Sequence, residues 1–225
     1  MNKYLEHLIN NPFIYYIYRT DDSIYGIKSD EESYLVVVNE KYILPKDFKS
    51  NEYLLMPGKV CPRAVTYDGA AFKFLPINEW FELVLSGNLL AWQCNCLSKK
   101  FIYKEYVKLL LKVDLMSMRK HYDICMSNLP RIELLMQKEE YKAAKRMLFH
   151  MIKDFRFSVQ IIENHKIVNY HSVVGDYKVL MEAEDDAESI MKVFKKLNKD
   201  SGKVLCKYTD GVKAKQTEDK LKNLT

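Results

Sequence analysis

Three consecutive carboxylates, Asp30, Glu31 and Glu32, stand one residue before the apolar run Tyr34-Leu35-Val36-Val37-Val38, with Ser33 between. Side chains alternate along a strand, so carboxylates two residues apart at its start point to the same side. A pair placed that way can hold divalent cations, and two such cations can polarise a phosphate and activate an attacking oxygen. Asp30 with Glu32 makes one such pair, and Glu31 with Ser33 makes a poorer one. Just upstream, Ser23, Tyr25 and Gly26 lie in a turn of the kind that can present backbone amides to a phosphate.

The elements that must position these residues are legible from pattern. Residues 1–12 read as a short helix stopped by Pro12. Phe13–Tyr18 is an aromatic and β-branched run, and Ser33–Val38 is continuous enough to predict a strand covered on both faces. Tyr53–Met56 is a third apolar piece closed by Pro57-Gly58, and Ala64–Leu75 holds one or two strands around Asp68-Gly69. From Pro76 the period becomes helical: Trp80, Leu83 and Val84 share a face, and Gly87-Asn88 supplies a left-handed stop. Further helices are expected over Tyr103 to about Cys125, Leu129–Gln137, Glu139 to about Phe157, and 183–199, the last with acidic residues early and lysines late. The expected class is α+β: a small mixed-sheet part over 1–95, a helical part over 96–210, and a polar tail over 211–225.

With 225 residues, 48% hydrophobic and 29% charged, the chain has the composition of a globular protein with a substantial core. A net charge of +5 permits nucleic-acid contact without demanding it. No apolar run approaches the roughly 20 residues of a membrane-spanning helix, and the N-terminus does not read as a signal peptide. Cys61, Cys94, Cys96, Cys125 and Cys206 have no framework spacing and are expected as reduced thiols of a cytoplasmic protein. Seven glycines with abundant Tyr, Lys, Asn and Ile suggest an AT-rich coding sequence, as in many viruses and low-GC bacteria.

Ser23-Ile24-Tyr25-Gly26 followed by Asp30-Glu31-Glu32-Ser33-Tyr34 and the valine run resembles the first motif of the phage-type and bacterial nucleotidyltransferases of the DNA polymerase β superfamily. Leu83-Val84-Leu85-Ser86-Gly87-Asn88 resembles a later helix of that family. The stretch Tyr141–Tyr170, ending Asn164-His165-Lys166-Ile167-Val168-Asn169-Tyr170, resembles its basic helix and closing turn. The likeness runs in order over roughly residues 13–175. It implies a nucleotidyltransferase-like mixed sheet followed by a helical half, with Mg2+ or Mn2+ and a nucleoside triphosphate as cofactors if the chain is active.

The same likeness shows what is missing. Aligned on Tyr34-Leu35-Val36, the first carboxylate falls at Glu31 and the second at Ser33; a shift of one residue restores the pair as Asp30 and Glu32. The third carboxylate position falls on Ala71, with Asp68 the nearest acid in sequence. Asp21-Asp22 replaces the phosphate-gripping Gly-Ser, and Gln93 stands where the family has Glu. These departures favour a catalytically degenerate protein that binds a nucleotide, nucleic acid or protein partner. A divergent active enzyme and a scaffold docking on a host or phage complex are the alternatives. Lys142, Lys145, Arg146 and Lys153, with Arg156 beyond them, are the candidate phosphate or nucleic-acid contacts. His121, His150, His165 and His171 read as dispersed, without a ligand partner at i, i+4.

Overall fold

The computed structural model of the protein describes residues 3–39, 50–56 and 59–222, with side chains over 3–39 and 64–207. The expected Pro57-Gly58 turn and the side chain of Cys61 lie outside the described residues. The fold is α+β, an N-terminal mixed sheet followed by a helical C-terminal half.

Helix α1 (Lys3–Asn10) leads into β1 (Ile14–Arg19), a short 3-10 turn (Asp22–Tyr25) and β2 (Glu32–Val38). Strands β3 (Ser50–Met56), β4 (Lys59–Tyr67) and β5 (Ala70–Pro76) follow, then helices α2 (Ile77–Leu85) and α3 (Leu89–Asn95). Among the described residues six strands form one sheet in the order β3-β4-β5-β2-β1-β6, where β6 is Ile102–Glu105. Only the β2–β5 pair is parallel; the other neighbours are antiparallel.

The central strand explains its own composition. Val36, Val37 and Val38 are fully buried because both faces of β2 are covered. On one face Tyr34, Val36 and Val38 join Ile14, Ile17, Phe72 and Phe74 beneath Tyr4, Leu5 and Leu8 of α1. On the other, Tyr16 and Tyr18 of β1 pack with Trp80 of α2, ring centroids 6.0 and 5.7 Å apart. Helix α2 stops as its sequence predicts, with Gly87 at φ +63. A Cβ there would sit 3.1 Å from the Lys112 carbonyl oxygen, so glycine is required twice over.

One expectation is corrected. The helix predicted from Tyr103 is instead strand β6, which closes the free edge of β1, with Tyr16 opposite Glu105 and Ile17 opposite Lys104. The helix begins only at α4 (Leu115–Met126), where the Asp114 side chain accepts the Met116 amide at 2.9 Å. Helices α5 (Leu129–Gln137), α6 (Tyr141–Asn164), α7 (Val174–Met181) and α8 (Ala187–Lys222) complete the chain, α8 running on past Gly211.

Two compact units result, Met1–Leu85 with Gln93–Leu111 and Ser86–Trp92 with Lys112–Thr225. In the second, α6 is the hub that α4, α5, α7 and α8 pack against. Its apolar stripe faces inward, with Ala144, Leu148, Met151, Ile152 and Phe155 buried and Met147 half-buried. Helix α6 ends on His165 at φ +55, a left-handed cap where glycine is the usual residue.

Candidate functional site

Strand β1 ends in Arg19, which belongs to none of the sequence motifs. Arg19 is paired in register with Tyr34 on the neighbouring strand, which brings its guanidinium to the start of β2. There its Nε donates to Asp21 Oδ2 at 2.6 Å and its Nη2 lies 3.2 Å from Glu32 Oε1. The Tyr34 hydroxyl donates to the other Glu32 oxygen at 2.6 Å. Both carboxylate oxygens of Glu32 are therefore engaged by protein groups.

Asp21 is more deeply committed. Its side chain is 2% exposed, and beyond Arg19 it accepts the Ser23 amide at 3.0 Å and the Ser33 amide at 3.3 Å. Burial works against its charge, but the bonds from Ser23, Arg19 and Ser33 outweigh burial and hold its carboxyl below the ordinary range. For Arg19 burial likewise opposes the charge, and the bond and attraction to Asp21 more than compensate, so its guanidinium stays ionised. Asp21 thus caps the turn and fastens it to β2.

The other predicted residues can now be placed. Asp30 and Glu31 are exposed bend residues before β2, whose strand geometry begins only at Glu32. The alternation that would aim Asp30 beside Glu32 therefore has no strand under its first member. Ser33 points to the opposite face from Glu32 and shares a 2.7 Å hydrogen bond with the Thr20 hydroxyl. The parallel register sets Ala70 beside Glu32 and Ala71 beside Ser33, so β5 brings two methyl groups to the start of β2. Asp68 lies in the exposed β4–β5 turn at φ +51.

In the turn, Tyr25 is buried and Gly26 takes φ +82 as the cap of the 3-10 segment. The Ile24, Gly26 and Ile27 amides bond to Asp21, Ser23 and Asp22 carbonyl oxygens, and the Ser23 amide to the Asp21 side chain. Those four donors are spent within the turn itself.

The basic residues of α6 divide by environment. Lys142 and Arg146 are exposed. Lys145 is buried, its ammonium donating to the Met181 and Ala183 carbonyl oxygens and to Asp185 Oδ1, 2.7 Å away. It ties α6 to the loop before α8. Lys153 is buried with its Nζ 3.4 Å from Asp154 Oδ1, and Arg156 donates to Asp176 Oδ2 at 3.0 Å. A Lys145→Met change is expected to lower the unfolding free energy by about 2 kcal/mol, because it removes the buried ammonium that donates to the Met181 and Ala183 carbonyls and to Asp185. A Lys142→Glu change should stay within about 0.5 kcal/mol. Urea denaturation of the two variants checks this; equal losses would assign Lys145 no structural role.

A second constellation escaped the sequence reading. His121 and Cys125 are four residues apart on α4 and so share a face. His121 Nε2 lies 3.5 Å from Cys125 Sγ and 3.1 Å from Asp154 Oδ2 of α6. Burial opposes a charge on His121, but the bonds to Asp154 and Cys125 prevail and push its pKa up to about 10. The sequence carries the signal as His121-x-x-x-Cys125, so the expectation that His121 has no ligand partner at i, i+4 is corrected: Cys125 is that partner.

No family model matches the chain, and neither does any curated protein. Among solved structures it is similar to a nucleotidyltransferase-like protein from Exiguobacterium sibiricum 255-15, at 11% identity and a TM-score of 0.32. That match covers 91% of this chain and 72% of the other. A likeness so slight transfers no residue's role. Among the described residues no helix is long and apolar enough to cross a membrane.

Proposed function

We propose that this protein is a nucleotidyltransferase-like chain that works by binding a nucleotide, nucleic acid or protein partner, without transferring a nucleotide. The observation that carries the reading is the guanidinium of Arg19, held between Asp21 and Glu32 where carboxylates at the start of β2 would otherwise face a metal ion. Nucleotidyl transfer needs two divalent cations on a cluster of carboxylates. A cation on Glu32 would meet a fixed positive charge already 3.2 Å from that carboxylate, which costs it affinity. Ala70 and Ala71 offer no third carboxylate beside it. Lys142 and Arg146 are exposed on α6, and they are the proposed phosphate contacts.

The test is incubation of the purified protein with each α-labelled nucleoside triphosphate, Mg2+ or Mn2+, and separate pools of tRNA, DNA and cell-extract protein. No label is expected in any pool, while filter binding should retain nucleotide or nucleic acid and weaken in a Lys142→Glu/Arg146→Glu variant. Incorporation by the wild type that disappears in Asp30→Ala/Glu32→Ala would overturn the reading and establish a divergent active enzyme. Absence of both transfer and retention would leave the protein partner as the binding arm.

A further inference from the structure

The helical unit carries a constellation that nucleotidyl transfer does not call for. His121 of α4, Cys125 one turn later and Asp154 of α6 turn one ligand atom each toward a common point, all three atoms within 4.8 Å of one another. Among the described residues this is the one group of three or more metal-ligating side chains so arranged. We propose that His121, Cys125 and Asp154 form a zinc site.

The distances carry the argument. Zinc bonds of about 2.05 Å to nitrogen, 2.1 Å to oxygen and 2.3 Å to sulfur, at tetrahedral angles, separate N from O by about 3.4 Å and N from S by about 3.6 Å. The corresponding distances are 3.1 and 3.5 Å, within a few tenths of an ångström of those values. The Cys125 sulfur and the Asp154 oxygen, within 4.8 Å of each other, close to about 3.6 Å when both bind the ion. Helical spacing of four residues for two ligands, with the third from a facing element, is a geometry that zinc sites use because it fixes the ligands before the metal arrives. The donor set of thiolate, imidazole and carboxylate selects zinc over magnesium or calcium, which prefer oxygen alone.

The surroundings support a held site. Lys153 Nζ lies 3.4 Å from Asp154 Oδ1, which leaves Oδ2 as the atom turned to His121. Zinc binding displaces the His121 Nε2 proton and the Cys125 thiol proton to solvent, and the resulting thiolate and the carboxylate together balance the dication. Cys125 is 8% exposed, and its fixed partners distinguish it from Cys94, a fully buried thiol whose ionisation burial opposes. His121 also lines an open groove of about 880 Å³ with Asn88, Ser117 and Lys120, through which the ion and a fourth ligand, water or a small anion, can enter. Three protein ligands and an accessible fourth position are the pattern of an open zinc site.

The inference is independent of the nucleotide-binding reading, and its test uses the full-length wild-type protein with metal alone. After treatment with chelator, titration with Co2+ should produce the thiolate-to-cobalt absorption band at one equivalent, and Zn2+ should displace it. Zn2+ should also raise the melting temperature, because it binds the folded state preferentially. Cys125→Ser should abolish the band, Asp154→Asn should weaken zinc binding at least about tenfold, and Cys206→Ser should leave both unchanged. Folded wild type with no band and no thermal shift would overturn the proposal. Binding that survives both Cys125→Ser and Asp154→Asn would also overturn it, since the metal would then sit elsewhere. Should Cys125→Ser fail to fold, the near-isosteric Asp154→Asn and the wild-type titration decide.

Discussion

An Arg19→Met variant is expected to lose about 3 kcal/mol of unfolding free energy at pH 7, the lower end of the range for removing one partner of a buried ion pair. The Asp21 carboxylate, 2% exposed, would keep the Ser23 and Ser33 amides but lose its one cationic partner. Glu32, at 46% side-chain exposure, contributes little, since solvent screens its pair with the same guanidinium. Arg19→Lys should recover only part of the loss, because an ammonium cannot bridge two carboxylates with a rigid fork.

The pH dependence carries the sign of the effect. Asp21 has a depressed pKa in the folded state, so its contribution is present in full above the ordinary aspartate pKa of about 3.9. It is lost as pH falls below about 4 and through the depressed folded value. The difference between wild type and Arg19→Met should therefore be largest at pH 7 and shrink towards pH 2 in urea denaturation. A difference that does not change with pH would mean that Arg19 acts through packing of its aliphatic stem and not through charge.

Trp80→Ala should cost about 4 kcal/mol, as truncation of a fully buried indole leaves a cavity that rigid neighbours cannot fill. Those neighbours are Tyr16 and Tyr18, both at most 1% exposed, whose rings lose an aromatic contact as well. Trp80→Phe should cost far less, within about 1.5 kcal/mol. The indole Nε1 is buried without a hydrogen-bond partner, and phenylalanine removes that unpaired donor along with some volume. Melting curves of both variants check the pair; equal losses would show that the volume removed does not decide the site.

Much of the fold was legible because its signals are local. The uninterrupted Val36-Val37-Val38 run announced a strand covered on both faces, and Gly87 announced a left-handed helix stop, each a property of a few adjacent residues. Strand β6 was not legible. In Ile102–Glu105 two strand-favouring residues are followed by two that disfavour a strand, and the segment pairs along the open edge of β1. The start of α4 was displaced for the same reason, since the chain must first leave that edge.

The candidate site divides along the same line. Sequence by itself determined the inventory: three acids at the approach to a strand, a turn at Tyr25-Gly26 and a basic helix. Tertiary structure alone decided what those residues meet. Strand register carries Arg19 from the end of β1 to the acids at the start of β2, and helix packing carries Asp154 to His121 and Cys125 from 33 and 29 residues away. Spacing along the chain specifies which side chains share a face. Which faces then meet depends on non-local packing of apolar surface, and the charge or ligand that a polar residue finds there is a consequence of that packing.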